Sequence, residues 1–338
     1  VLKYLVKRVL QAIPVLIGLS IVVFLLMRVF SPDPAPVVLG EHATRDAMDA
    51  WRDSQGLNEP IVKQYLSFLG GALHGDLGES YYSHTAVTEE LASRFPATVE
   101  LALVAIIIAS LVGIFLGVVS AVHKGSFIDG FSTLLALMGV SMPIFWLGIL
   151  FIILFTGVLH LLPSGGRIDP MLQPMGGTGL FILDTLLSGD VEALGDALVH
   201  MIMPATALSM YSMAIITRMT RSSMLDTLGE DYVRTARAKG TPEHRVTMHH
   251  ALRNAMLPIT TVIGLQLGSL LGGAMLTETV FAWPGIGKYV VECILKSDFP
   301  VVQGVVLLIG VIFVVINLIV DLIYAYLDPR IKYSQEEG

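Results

Sequence analysis

Charge and sulfur are both scarce in this chain. Of its 338 residues only 14% are Asp, Glu, Lys or Arg, against roughly 25% in an ordinary soluble domain, which excludes a water-solvated surface over most of its length. The single cysteine, Cys293, rules out an intrachain disulfide framework and a thiol-pair metal site. The nine histidines contain no H-x-x-x-H pair, so no metal centre is expected. A phosphate-cradling G-x-x-x-x-G-K-S/T loop is also missing. The nearest string, Gly285-Ile-Gly-Lys288, lacks the upstream glycine and runs into Tyr289. The apolar segments hold no convincing Ser/His or paired Asp arrangement, which argues against a membrane-embedded protease. No two halves share a pattern, which argues against an inverted-repeat, ion-driven transporter.

Apolar residues make up 54% of the chain and gather into six blocks: Leu10–Met27, Leu101–Val122, Phe131–Leu162, Ala197–Thr217, Met256–Leu276 and Val301–Tyr326. About twenty residues at 1.5 Å rise span a hydrocarbon core of roughly 30 Å. The expectation is an all-α membrane protein with about six transmembrane helices. The first block is longer than a signal-peptide core and no small-residue cleavage site follows, so it reads as a retained anchor. The formal charge is −7, and no nucleic-acid partner is expected. Thirteen of the 21 basic residues fall in alternate connections: Lys3, Lys7, Arg8, Lys124, Arg218, Arg221, Arg234, Arg237, Lys239, Arg245, Arg253, Arg330 and Lys332. Positive residues are retained on the cytoplasmic side, which places both termini there.

The chain therefore divides into an N-terminal span (1–30), an external helical region (31–97), a five-span core (98–330) and a cytoplasmic tail (331–338). In the external region Thr44 can cap a helix that Gly56 ends, and Pro60 can open a second helix through Leu69. Ten acids face four basic residues there. A second outside loop, 163–196, holds a short helix around Phe181 to Leu187. Glu100 and Glu278 are expected at the water-accessible outer ends of their spans, with Asp321 deeper in the last.

Within the core, residues 218–255 form a long polar cytoplasmic segment where a short loop would suffice. Arg218, Arg221 and Leu225 continue the fourth span, Asp231 to Lys239 is helix-prone, and Gly240 stops it. Thr241-Pro242-Glu243 then gives an N-cap, a first-turn proline and a first-turn acid. The helix so begun would run to about Leu252, some 15 Å, with Arg245, His249 and Arg253 along one flank and Val246 nearby. Anionic lipid would attract the same charge, but it needs no such turn, cap and proline. A mechanical handle for a partner protein is the better reading.

Asp231-Tyr-Val-Arg-Thr-Ala-Arg-Ala-Lys-Gly240 followed by His250-Ala-Leu-Arg-Asn-Ala-Met-Leu-Pro258 resembles the EAA loop of inner-membrane permease subunits of ATP-binding-cassette importers, in the dipeptide, oligopeptide and nickel branch. The resemblance covers nearly the whole chain: His74-Gly-Asp-Leu-Gly78, Arg94-Phe-Pro96, Ser141-Met-Pro143, Thr277-Glu-Thr-Val-Phe281, Pro284-Gly285, Gly287, Asn317, Asp321, Tyr324 and Asp328-Pro-Arg330 are similar to markers of the branch in their order. It departs at Pro32-Asp33-Pro34, where Gly-Asp-Pro is usual, and at Arg234, which replaces the loop's acid.

The resemblance implies the type I importer permease fold in a cell inner membrane, paired with a second homologous permease, two ATPase subunits and an external solute-binding protein. ATP and magnesium would be bound by the ATPase subunits, with no cofactor in this chain. Ala236, Ala238, Lys239, Gly240, Thr241, Pro242, Glu243, Arg245, Val246, His249 and Arg253 would form the ATPase-coupling surface. Ser141, Gln266, Glu278 and Asn317 are candidates for the substrate pathway; Thr260 and Glu100 are weighed beside them, each alternatively as a structural hydrogen-bonding group. Dipeptides or oligopeptides are the expected cargo, with nickel or another small solute as the alternative. Gly264, Gly268, Gly272 and Gly273 would let helices approach closely.

Overall fold

The computed structural model describes residues 2–40, 42–174 and 176–327, with the side chains of 2–7, 321 and 323–327 excepted. The expectations placed on Lys3, Lys7, Asp321, Tyr324, Asp328-Pro-Arg330, Lys332 and the tail lie outside the described residues. Five helices are long and apolar enough to cross a membrane, or six if one bent pair is counted as a span. Among the described residues there are no β-strands beyond one isolated bridge, Glu79 with Ala86.

Helix α1 (Leu2–Leu25) runs on through a π-helical turn, Leu26–Phe30. Three shorter helices follow: α2 (Pro34–Leu39), α3 (Arg45–Ser54) and α4 (Ile61–Leu73). Thr44 Oγ1 accepts from the Ala47 N–H at the start of α3, and Gly56 turns the chain at φ +64°. Pro60 takes the N-cap position of α4, which extends past Leu69.

Helices α5 (Val87–Val122) and, further on, α9 (Val191–Leu228) are 36 and 38 residues long, well beyond the apolar blocks Leu101–Val122 and Ala197–Thr217. Their extra turns are held by protein rather than lipid. Val87 and Leu91 pack among Ile286, Val290, Val301 and Val305. Ala193 and Ala197 pack on Ile168, and Met224 joins the main core. Helix α5 thus starts inside the stretch expected to belong to the external region.

Between them lie α6 (Phe127–Ser141) and α7 (Ile144–Phe151), the latter continued by a π segment, Ile152–Val158. The block Phe131–Leu162 is not one straight helix: α6 and α7 meet at 104°. Pro143 offers no N–H and pushes Met142 out of the helical region, to φ −85° and ψ 129°. Helix α8 (Phe181–Ser188) appears where a short helix was expected.

The centre of the molecule is the α5–α9 pair. A Cβ added at Gly113 would lie 2.9 Å from Ile216 Cγ2, and one at Gly117 2.5 Å from Thr220 Cβ. Helix α6 joins this pair through Gly139, where a Cβ would meet the Met210 carbonyl at 2.8 Å. At the basic end the carboxylate of Asp129 accepts from Ser120 Oγ, the Gly125 N–H and both Nε and Nη2 of Arg221, tying α5, α6 and α9 together.

The chain beyond α9 forms α10 (Asp231–Ala238), α11 (Glu243–Arg245), a π segment (Val246–Leu252), α12 (Arg253–Gly273), α13 (Met275–Val280), α14 (Ile286–Leu295) and α15 (Phe299–Leu327). Gly264, Gly268 and Gly272 lie against Val320, Phe313 and Ile309 of α15, whereas nothing lies within 4 Å of a Cβ on Gly273.

Gly117→Val is expected to lower stability by about 1–3 kcal/mol through overpacking, read as a fall in the thermal midpoint of the purified protein. Gly130→Ala, with nothing within 4 Å, should leave that midpoint unchanged or raise it. Equal midpoints for the two variants would contradict the close α5–α9 packing.

Candidate functional site

The polar segment after α9 is a small folded unit. Its interior is apolar: Val233, Ala236 and Val246 are buried together against Leu228. Helix α10 ends in a Schellman turn, in which the Gly240 N–H donates to Arg237 O and the Thr241 N–H to Ala236 O. Gly240 sits there at φ +75°, which a β-carbon disfavours. Across the turn Arg237 pairs with Glu243 through Nε and Nη2. Asn254 Nδ2 donates to Tyr232 OH and to His250 O, closing the other side.

Of the expected coupling residues, Ala236 and Val246 form this interior, and Thr241 is half-buried. Ala238, Lys239, Gly240, Pro242, Glu243, Arg245, His249 and Arg253 are exposed, as are His244 and Met248 between them. Arg234 is also exposed and reaches Asp231 at 3.4 Å.

Two details differ from the sequence reading. Thr241 does not cap the new helix: Pro242 occupies the N-cap position with extended dihedrals and Glu243 opens the helix. Nor does the helix stop at Leu252, for Glu243–Gly273 is one 31-residue helical run. No glycine or proline stands between His244 and Asn254 to end it, and the π segment absorbs the change of register. The segment expected to serve as a handle forms the first turns of the helical run that continues as α12.

The acids expected near water are instead buried. Glu278 is 0% exposed. Its oxygens accept from Thr98 Oγ1 at 2.6 Å and the Lys288 N–H at 2.9 Å, and Thr98 Oγ1 in turn accepts from the Ile286 N–H. A Cβ on Gly285 would clash with the Glu278 carboxylate, and one on Gly287 would meet Met275 Cα at 2.6 Å and Glu278 Oε2 at 2.9 Å. The glycine string that faintly resembled a phosphate loop therefore wraps a carboxylate of its own chain. Trp283 Nε1 donates to Ala97 O in the same knot. Glu100 pairs with Arg167 through Nε and Nη2 and accepts from the Ile182 N–H, while Arg167 lies over the Phe181 ring. Asp298, between α14 and α15, accepts from Ser80 Oγ and the Tyr81 N–H, and burial pushes its carboxyl above the usual range.

The other pathway candidates are scattered. Gln266 accepts from Ser212 Oγ of α9 at 3.0 Å, and Thr260 returns its hydroxyl to Leu257 O. Asn317 lines an apolar groove between α1 and α15 of about 550 Å³, with its Oδ1 unpaired. Ser141 is exposed at the α6–α7 break. Sequence reasoning missed Asp129, Arg167 and Thr98; the acid of Ser126-Phe-Ile-Asp129, a cap position and its first-turn acid, is the one signal that could have found the first. Among the described residues no cluster of three metal-ligating side chains occurs.

A helical bundle with several helices of membrane-spanning length defines a multi-pass membrane protein. The family model for binding-protein-dependent transport system inner membrane components matches residues 113–333, and the model for the N-terminal part of such components matches residues 1–102. A dipeptide transport system permease of Alkalihalophilus pseudofirmus is 46% identical over 332 residues, covering 98% of this chain and all of the relative. The Escherichia coli K12 dipeptide permease is 44% identical over 340 residues, 99% of this chain and all of the relative. A di/tripeptide permease of Pseudomonas aeruginosa is 42% identical over 335 residues, with 99% and 100% covered. The chain belongs to the family of binding-protein-dependent transport system inner membrane components, the permeases of ATP-binding-cassette importers. It is a transport subunit and not an enzyme, ATP hydrolysis being the work of separate subunits.

Gly240→Ala should cost about 1 kcal/mol or more at the positive φ, speeding amide hydrogen exchange across residues 232–241 several-fold. Gly240→Asn, which tolerates that conformation, should exchange close to the parent. Identical exchange in all three proteins would refute the turn.

Proposed function

We propose that this chain carries dipeptides or oligopeptides across the membrane, working beside a second homologous permease, two ATPase subunits and an external solute-binding protein. The names of its full-length relatives support the cargo. The basic residues support the orientation, with both termini and the α10–α12 handle in the cytoplasm. ATP and magnesium then belong to the partner ATPases.

The observation that carries the mechanism is the continuity of Glu243–Gly273. Closure of an ATPase pair displaces the exposed turn at Ala238 to His249, and the displacement enters α12 directly. The Val233, Ala236 and Val246 interior makes α10 follow as one body. Helix α12 packs on both α9 and α15, so its tilt repositions the bundle and switches access from one side to the other. Gln266 stands on the α9–α12 contact that must shift, and Asn317 on α15 beside the apolar groove; both remain pathway candidates. Glu278, its carboxylate taken up by donors on α5 and the Gly285–Lys288 turn, serves as an anchor. The acid-rich stretch 31–97 offers the landing surface for a delivery protein of complementary charge.

Proteoliposomes holding the co-purified complex should take up dipeptide only with ATP inside. Arg245→Glu should lower that uptake at least tenfold while membrane insertion is unaffected. Unchanged uptake would remove the handle from the mechanism, and uptake that needs no ATP but follows a proton or sodium gradient would point to a secondary transporter.

A further inference from the structure

Helices α1 and α15 run antiparallel, since Arg8 to Leu16 line one groove with Val311 to Leu318, and Val15 to Leu19 line a second with Val306 to Val314. Their register is marked at Gly310, where a Cβ would clash with Leu19. Seven residues along each chain from that contact, Asn317 stands level with Ala12, about one turn of α1 from Arg8. The first groove holds about 550 Å³ and the second about 430 Å³, and Val15, Leu16, Phe313 and Val314 line both, so the two are continuous. Gly268 and Gly272 of α12 line the second. From Arg8 to Leu19 the grooves follow eleven residues of α1, about 16 Å, which is half of a hydrocarbon core of roughly 30 Å.

Polarity is gathered at one end of this cleft. Arg8, Gln11 and Asn317 line the first groove, whereas the second holds no charged side chain and, apart from Ser269, no polar one. Asn317 Oδ1 is buried, and among the described residues no hydrogen bond reaches it. A buried amide oxygen in apolar surroundings costs free energy until a donor is supplied. A spanning helix of another protein would cross the full core. A cleft that is polar at one membrane surface and apolar from there to about the midplane instead has the outline of an amphiphile of a single leaflet.

We propose that the α1–α15 cleft binds a glycerophospholipid of the leaflet at the Arg8 end, one whose headgroup carries an N–H or O–H donor beside its phosphate. One acyl chain lies along Ile13, Leu16 and Val314 and ends against Gly268 and Gly272 of α12. The phosphate sits by Arg8, whose five donors in a fixed fork serve more than one acceptor. The headgroup donor goes to Asn317 Oδ1, which rotation about χ2, a soft torsion in asparagine, turns toward the cleft. Chain packing alone does not choose among lipids, so the choice falls to the phosphate and the donor. An ethanolamine headgroup satisfies both, whereas a choline headgroup has no N–H and satisfies the phosphate alone. The site is independent of the cargo the bundle carries.

The test places the full chain, in its assembled complex, in phosphatidylcholine nanodiscs containing a trace of phosphatidylethanolamine with a photoactivatable diazirine in one acyl chain. Peptides from 8–19 and 306–318 should be labelled at least fivefold more densely than those from the exposed apolar face of α6 at Phe131, Leu134 and Leu137. Replacing the bulk lipid by phosphatidylethanolamine, which has the same net charge, should lower cleft labelling at least fivefold relative to α6. Asn317→Leu should erase that bulk-lipid effect while labelling persists. Val315→Trp, enlarged from an exposed position, should cut cleft labelling severalfold, and Ile13→Trp gives the same reading from α1 if Val315→Trp fails to assemble. Labelling no denser than on α6 would mean annular lipid only and overturns the site. An equal response to both bulk lipids, or a preference that survives Asn317→Leu, overturns the headgroup recognition. A cleft silent in the complex but labelled in the isolated chain belongs to the second permease, and labelling displaced by dipeptide belongs to the transport pathway; either result also overturns the proposal.

Discussion

Hydrocarbon offers no hydrogen bonds, and that constraint governs where this chain can put polar groups. Glu278 lies 0% exposed near one end of the bundle because Thr98 and the turn at Gly285–Lys288 surround its oxygens with donors. Asp129 lies near the other end under Arg221, Ser120 and Gly125. Each knot ties helices that no apolar contact would hold in a single register, since acyl chains solvate leucine as well as another helix does. A buried carboxylate stripped of one donor is costly, so each knot is all-or-none. Between them, shape does the work: Gly113, Gly117 and Gly139 let α5, α6 and α9 meet backbone to side chain.

That arrangement separates a stiff part from a movable one. Helices α5 and α9 interlock so closely that sliding would drive Thr220 into Gly117. The contact of α12 with α15 is looser toward one end: a Cβ on Gly264 would clash with Val320, whereas one on Gly272 would meet Ile309 at 3.4 Å and one on Gly273 nothing within 4 Å. Under the proposed coupling, a helix gripped at its first turns and progressively freer along its length would act as a lever. The π segment at Val246–Leu252 lies where handle and span join. It keeps the two in one helix, so under the same proposal a push on Arg245 or His249 would not be lost in a flexible hinge.

Much of the bundle was legible in the sequence because the signal is compositional: twenty apolar residues in lipid have few alternatives to helix. The extensions of α5 to Val87 and α9 to Leu228 were not, since they depend on contacts with Ile286, Val301 and Ile168 that no local pattern encodes. Gly240 announced its turn correctly, because a positive φ is a local demand. Thr241 and Leu252 misled, because a threonine before a proline and a run of polar residues look like helix boundaries whether or not the helix continues. Proline was the most ambiguous signal. Pro14, Pro96, Pro204 and Pro258 all sit inside unbroken helices, whereas Pro143 breaks one, so apolarity hid the bend. The acids were misplaced for a related reason: hydropathy sets depth, but only tertiary structure says whether a carboxylate meets water or a threonine.

The polar knots are the answer this bundle gives to that constraint. Where the helices must stay put, at Glu278 and Asp129, every oxygen with a protein partner is one less reason for water to enter.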